Sequence, residues 1–72
     1  MGVKYLEVNA KDVKVGDYLT FGKGNIAVTD GIYYEITGFG ADGSLRYVDD
    51  AGYGRNAREG SYEFKTYQKV AL

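Results

Sequence analysis

The side chains able to do chemistry in this sequence are few in kind: carboxylates, Lys, Arg, Tyr and two Ser. There is no His and no Cys. That removes the usual general base near neutral pH, the thiolate nucleophile and the commonest zinc ligands. A Ser-His-Asp triad cannot be assembled and no disulfide framework exists. Asp49, Asp50 and Glu59 invite a calcium or a glycosidase reading. An EF-hand loop needs oxygen donors at alternate positions, and Ala51 occupies the third. Paired-carboxylate hydrolysis needs a cleft that raises one pKa, and a chain of 72 residues has little interior to build one. Ser61 and Lys65 are not spaced to activate a hydroxyl, so Ser61 reads as a cap. The expectation is a non-enzymatic protein with no cofactor and no metal.

Gly38-Phe39-Gly40-Ala41-Asp42-Gly43 spells the GxGxxG string, which holds a pyrophosphate only when a helix follows. Residues 44–48 instead alternate as a strand, so the string reads as a hairpin turn. Arg46, Arg55 and Arg58 flank Tyr47 and Tyr53, a combination that can stack bases and contact phosphates. Acids intervene, however, and nine basic against ten acidic residues give a net charge of -1. A phosphate-backbone binder normally carries a basic excess, so nucleic acid ranks behind protein as a partner. Eight Tyr are many for so small an interior. Tyr34, Tyr47 and Tyr62 suit the core. Tyr33 lies opposite the Ile32 and Ile36 face, and Tyr18, Tyr53 and Tyr67 adjoin loops or run out of phase. Tyrosine supplies rigid contact area at low entropy cost. Tyr53, Arg55, Arg58 and Tyr62 are therefore the candidate partner-binding residues.

The elements that must position these residues are punctuated by Gly, often beside Asp or Asn, with no Pro anywhere. Regular turn signals between short β-branched and aromatic runs indicate antiparallel strands. Strands are expected at 18–21, 32–37 and 44–48, in a hairpin-linked strand beyond the connection at 49–54, and from Tyr62 to Val70. Ile32, Tyr34 and Ile36 should share a buried face, as should Leu45 and Tyr47. Asp42-Gly43 should form a tight turn with positive φ. Asn9 or Asp12 can cap a short turn at 9–15. Asp49 and Asp50 read as a solvated hairpin tip. The whole of 1–72 is one domain with a small core. Without a disulfide or metal staple, dimerisation remains an open source of stability, and monomer and homodimer are both admitted. No apolar leader follows the first residues, Leu6 breaks the myristoylation pattern, and no apolar run approaches the ~18 residues of a membrane span. The expected setting is cytoplasmic, with no membrane partner.

The order of segments resembles the SH3-like barrel. A short strand ends at Phe21, a polar loop spans 22–31, and three hairpin-linked strands follow. A Gly-bounded single turn at 58–61 then leads to a closing strand headed by Tyr62. Asp12-Val13-Lys14-Val15-Gly16-Asp17 and Tyr47-Val48-Asp49-Asp50-Ala51-Gly52 are similar to SH3-like modules of small phage and prophage proteins. The resemblance implies an all-β, small SH3-like barrel of five to six antiparallel strands with a short 3₁₀ turn. The paired Trp of peptide-binding SH3 domains is absent, so recognition of proline-rich peptides does not carry over. The function expected is a protein-binding module, in a phage setting a modulator or inhibitor of a host protein. The alternatives are a small-barrel nucleic-acid-binding protein and a small-ligand or nucleotide-sequestering homo-oligomer.

Overall fold

Alternating side chains and Gly-centred turns do produce an all-β chain. The computed structural model describes residues 2–22, 27–58 and 63–72. Among these residues seven strands form: β1 (Val3–Val8), β2 (Tyr18–Phe21), β3 (Tyr34–Glu35), β4 (Gly38–Phe39), β5 (Leu45–Val48), β6 (Gly54–Ala57) and β7 (Phe64–Ala71). They make two antiparallel sheets, ordered β1-β7-β2-β3 and β4-β5-β6. The expected count was five to six; the additions are β1, which the alternation did not reveal, and the short β4, which falls where a loop was expected. The sheets do not close into a barrel among the described residues. Instead the chain crosses between them at 34–39. Ile36 N–H bonds the Asp17 carbonyl beside β2, while Thr37 N–H bonds the Arg46 carbonyl of β5. The expected single strand at 32–37 is thus a corner, whose first part serves one sheet and whose continuation serves the other.

The corner corrects one assignment. Tyr34 and Ile36 are buried, but Ile32 is 48% exposed. Its N–H is taken by a turn back to the Thr29 carbonyl, so it precedes the strand and does not share its face.

Both hairpins of the second sheet use the same device. In each, three loop residues separate a closing pair, Gly40–Ser44 in one and Asp49–Tyr53 in the other. The last loop residue takes positive φ: Gly43 at 84° and Gly52 at 87°. This is a type I turn followed by a left-handed residue, which glycine adopts without steric cost. Asp42 therefore keeps an ordinary φ, and only its glycine neighbour supplies the positive one. The 3₁₀ turn that the structure describes lies at Ala10–Asp12, where Asn9 caps the Lys11 N–H at 3.0 Å. The turn expected at 58–61 falls largely outside the described residues.

The core lies between the sheets. Leu19 and Ile36 are fully buried, joined by Val13, Phe21, Tyr34, Leu45, Tyr47 and Ala57. Val8, Val28 and Phe64 close its margins. The Phe21 ring centre sits 4.9 Å from that of Tyr47 and 5.8 Å from that of Tyr34, inside the usual range for aromatic pairs. Buried Thr66 satisfies its hydroxyl on the Val8 carbonyl at 2.6 Å.

Candidate functional site: a tyrosine face

The register of the first sheet sorts its side chains. Tyr5 lies opposite Lys69, Glu7 opposite Tyr67, Tyr18 opposite Tyr67 and Glu35, and Thr20 opposite Lys65. These positions share the outer face, because Leu19, Phe21, Tyr34 and Thr66 point the other way into the core. The outer face therefore collects one tyrosine from each of β1, β2 and β7, and Tyr33 joins them from just ahead of β3. Tyr5 and Tyr33 stack with ring centres 3.7 Å apart and planes 9° off parallel. Tyr18 meets Tyr5 edge-on at 5.5 Å, and Tyr67 meets Tyr33 edge-on at 5.2 Å. The Lys69 ammonium lies 5.3 Å from the Tyr18 ring centre. The Tyr18 hydroxyl beside it holds that ammonium above the usual lysine pKa. Beside this cluster lies a cleft of about 520 Å³, lined in part by Thr20, Asp30, Glu63, Lys65 and Tyr67.

Of the four residues singled out from the sequence, the three that the structure describes lie elsewhere. Tyr53 and Arg55 stand at the β5–β6 hairpin, Tyr53 being 66% exposed. Arg55 Nε is 2.8 Å from Asp49 Oδ2. Arg58 sits beside the other hairpin, its Nε 2.9 Å from Asp42 Oδ2. Tyr62 lies outside the described residues. Tyr53 and Arg55 are thus brought together, while Arg58 is held apart at the β4–β5 turn.

Asp49 corrects the picture of a solvated tip. It is only 5% exposed. Its carboxylate accepts from the N–H groups of Ala51 and Tyr53 at 3.0 and 2.9 Å, as well as from Arg55. The Arg55 guanidinium first, then the Tyr53 amide, hold its pKa below the ordinary carboxylate value. Asp42 is lowered in the same direction, by its bonds to Ser44 first. Asp50 is also committed. Its Oδ1 accepts the Tyr34 hydroxyl at 2.6 Å and its Oδ2 the Thr29 hydroxyl at 2.7 Å. Tyr34 in turn accepts the Thr29 N–H at 2.7 Å. Burial, then Asp50, pushes the Tyr34 phenol pKa up.

The expected core positions of Tyr34 and Tyr47 are realised. Sequence reasoning named Tyr18, Tyr33 and Tyr67 as surface residues but missed Tyr5 and Lys69 as their neighbours. The available signal was Val3-Lys4-Tyr5-Leu6-Glu7-Val8, a strand-like run with one acid, one base and no turn residue. Gly38 to Gly43 is a hairpin, as expected, with β5 rather than a helix after it. Among the described residues no three carboxylates gather to hold a metal ion, and no helix is long and apolar enough to cross a membrane. Compared with known protein families, known proteins and solved structures, the chain finds no match. Fold and site together define a small all-β domain whose larger sheet carries an aromatic outer face.

Proposed function

We propose that the chain is a non-enzymatic protein-binding module and that its contact surface is this tyrosine face. The observation carrying the proposal is the four-ring cluster on the outside of a sheet whose other side already holds the core. Rings with polar hydroxyl tips are the side chains most enriched where proteins meet. Lys65, Lys69, Glu7 and Glu35 stand around the rings on the same face, so the complementary partner presents apolar or aromatic side chains bordered by polar groups of both signs. The SH3-like reading belongs to the same proposal. Its support is the segment order and the pairing of β2 with the closing strand β7. A nucleic-acid platform is less well supported. Glu7 and Glu35 balance the two lysines on this face, and Tyr5 and Tyr33 spend their ring faces on each other.

The test is affinity capture from the native host, followed by titration of the captured partner against variants. Tyr33→Ser and Tyr67→Ser should weaken binding at least about tenfold, the scale of an interface hot spot. Tyr53→Ala and Arg58→Ala should leave it unchanged. Loss confined to Tyr53, Arg55 and Arg58 would move the contact to the hairpin end. Salt-dependent retention on single-stranded DNA, with no protein captured, would replace the reading altogether.

A further inference from the structure

The first sheet ends on a free strand. Among the described residues β1 pairs only with β7, and its six residues form a longer free edge than β3, β4 or β6. The hydrogen-bond parity along β1 follows from one bond. Leu72 N–H donates to the Gly2 carbonyl at 3.0 Å, in the register that places Val3 opposite Ala71. In an antiparallel pair, bonded and non-bonded positions alternate. Lys4, Leu6 and Val8 therefore spend their backbone groups on β7. Val3, Tyr5 and Glu7 turn theirs outward. Natural sheets blunt such edges with Pro, bulges or charged side chains; β1 has no Pro and pairs continuously along its inner side, and its charges are Lys4 and Glu7. The ribbon it forms with β7 also carries exposed apolar side chains: Val3, Leu6, Val70 and Leu72, the last 78% exposed.

We propose that β1 is a homodimerisation edge, pairing antiparallel with β1 of a second copy about a two-fold axis at Tyr5. A two-fold axis normal to the sheet keeps the outer faces on one side, so only residues of equal parity can face each other. Centring on Tyr5 sets Val3 opposite the partner's Glu7 and Tyr5 opposite the partner's Tyr5. It uses all three outward residues of each copy, giving six new backbone hydrogen bonds. Centring on Leu6 engages only Tyr5 and Glu7 within the strand and makes four. In the Tyr5 register, Lys4 lies opposite the partner's Leu6, with Val70 flanking it on β7. The Lys4 stem then spans between two apolar side chains while its ammonium reaches water. The two tyrosine faces become one continuous outer surface. The inference stands on the strand edge alone and does not depend on the function proposed above. Edge pairing buries less than the ~1,600 Å² of a standard interface, so the dimer is weak and concentration-dependent.

The chain has no Cys, so single-cysteine variants report the register directly. Facing Cα atoms in a bonded antiparallel pair lie about 5.5 Å apart, within disulfide reach. Residues offset by two positions lie roughly 8 Å apart, beyond it. Under mild oxidation Tyr5→Cys should cross-link at least about tenfold faster than Lys4→Cys or Leu6→Cys. Sedimentation up to about 1 mM should show a reversible dimer, the range set by millimolar to micromolar association. Val3→Pro and Glu7→Pro should abolish it with little change in thermal midpoint, because each deletes an outward N–H. Lys4→Pro should lower the midpoint, because it deletes a bond to β7. If the proline variants fail to fold, the cysteine series still decides. A chain monomeric at the highest concentration overturns the proposal. So does preferential cross-linking through Leu6→Cys, or a dimer indifferent to both outward prolines in folded protein.

Discussion

Replacing Tyr34 with Phe isolates one hydroxyl and leaves the ring in place against Phe21 and Tyr47. The hydroxyl accepts one backbone N–H at 2.7 Å and donates to one carboxylate at 2.6 Å. A neutral hydrogen bond is worth about 0.5–1.5 kcal/mol net and one to a charged group about 1.5–3. Their sum is about 2–4.5 kcal/mol, but Thr29 and Asp50 are exposed, so water replaces part of what is lost. About 2 kcal/mol is the expected loss. Against a total of about 4–11 kcal/mol for a chain this size, that is a fall in melting temperature of roughly 8–16 °C. Urea and thermal unfolding followed by circular dichroism measure it. A double-mutant cycle with Asp50→Asn should return a coupling of at least about 0.5 kcal/mol. Alkaline pH adds a second signature. The folded phenol titrates above the ordinary value of about 10. Its contribution is therefore whole below that value and drains away as pH rises through the raised one. The gap between wild type and Tyr34→Phe should narrow as pH climbs past 10. A loss below about 0.5 kcal/mol, or a gap that widens with pH, would refute the tether between the 27–31 loop and the β5–β6 hairpin.

Asp49→Ala should destabilise more than Asp42→Ala in the same unfolding assay, because it releases two turn amides and Arg55 together. Since the Asp49 pKa is depressed in the fold, its contribution is present above the ordinary carboxylate value and lost as pH falls through the lowered one. Arg55→Gln should consequently shift the acid-unfolding midpoint to higher pH. Gly52→Ala should cost about 1–2 kcal/mol for a left-handed residue, whereas Gly54→Ala, with open space at its Cβ and no positive φ, should stay within about 0.5 kcal/mol. Leu19→Ala removes a fully buried side chain and should cost about 2–5 kcal/mol by chemical denaturation, enough to unfold a large share of the molecules.

What the sequence discloses depends on how local the cause is. Strand β5 is plain because each side chain reports its own face. The two hairpins and the Asn9 cap are plain because their signals lie within five residues. A corner is not plain. Tyr34 and Ile36 keep their alternation into the bend, so nothing in the pattern records that the backbone changes sheets directly after Ile36. Ile32 then extends the apparent period while belonging to a turn. β1 escapes notice because Val3, Tyr5, Leu6 and Val8 do not alternate cleanly: one face meets the tyrosine cluster and the other the margin of the core. Asp49 reads as a solvated tip because Asp-Asp-Ala-Gly is turn composition, and its burial depends on an Arg six positions later. The tyrosine face is the least local feature. Tyr5, Tyr18, Tyr33 and Tyr67 meet only once β7 returns between β1 and β2.

That return also explains how a chain without Cys, His or Trp holds a four-stranded sheet. Among the described residues eight hydrophobic side chains make up the buried core, two of them tyrosines. The outer side of the larger sheet is a further place to bury apolar area. One ring from each of three strands and one from the approach to the fourth provide it, so the cluster acts as a second, thinner core. Members of the cluster then divide in their roles. Tyr5 and Tyr18 are half-buried, touch neighbours on adjacent strands and hold the sheet together. Tyr33 is the exposed member, resting on Tyr5 and Tyr67 at the sheet's edge. A substitution that separates binding from folding is therefore expected at Tyr33, and loss of binding at Tyr5 or Tyr18 should come with loss of stability.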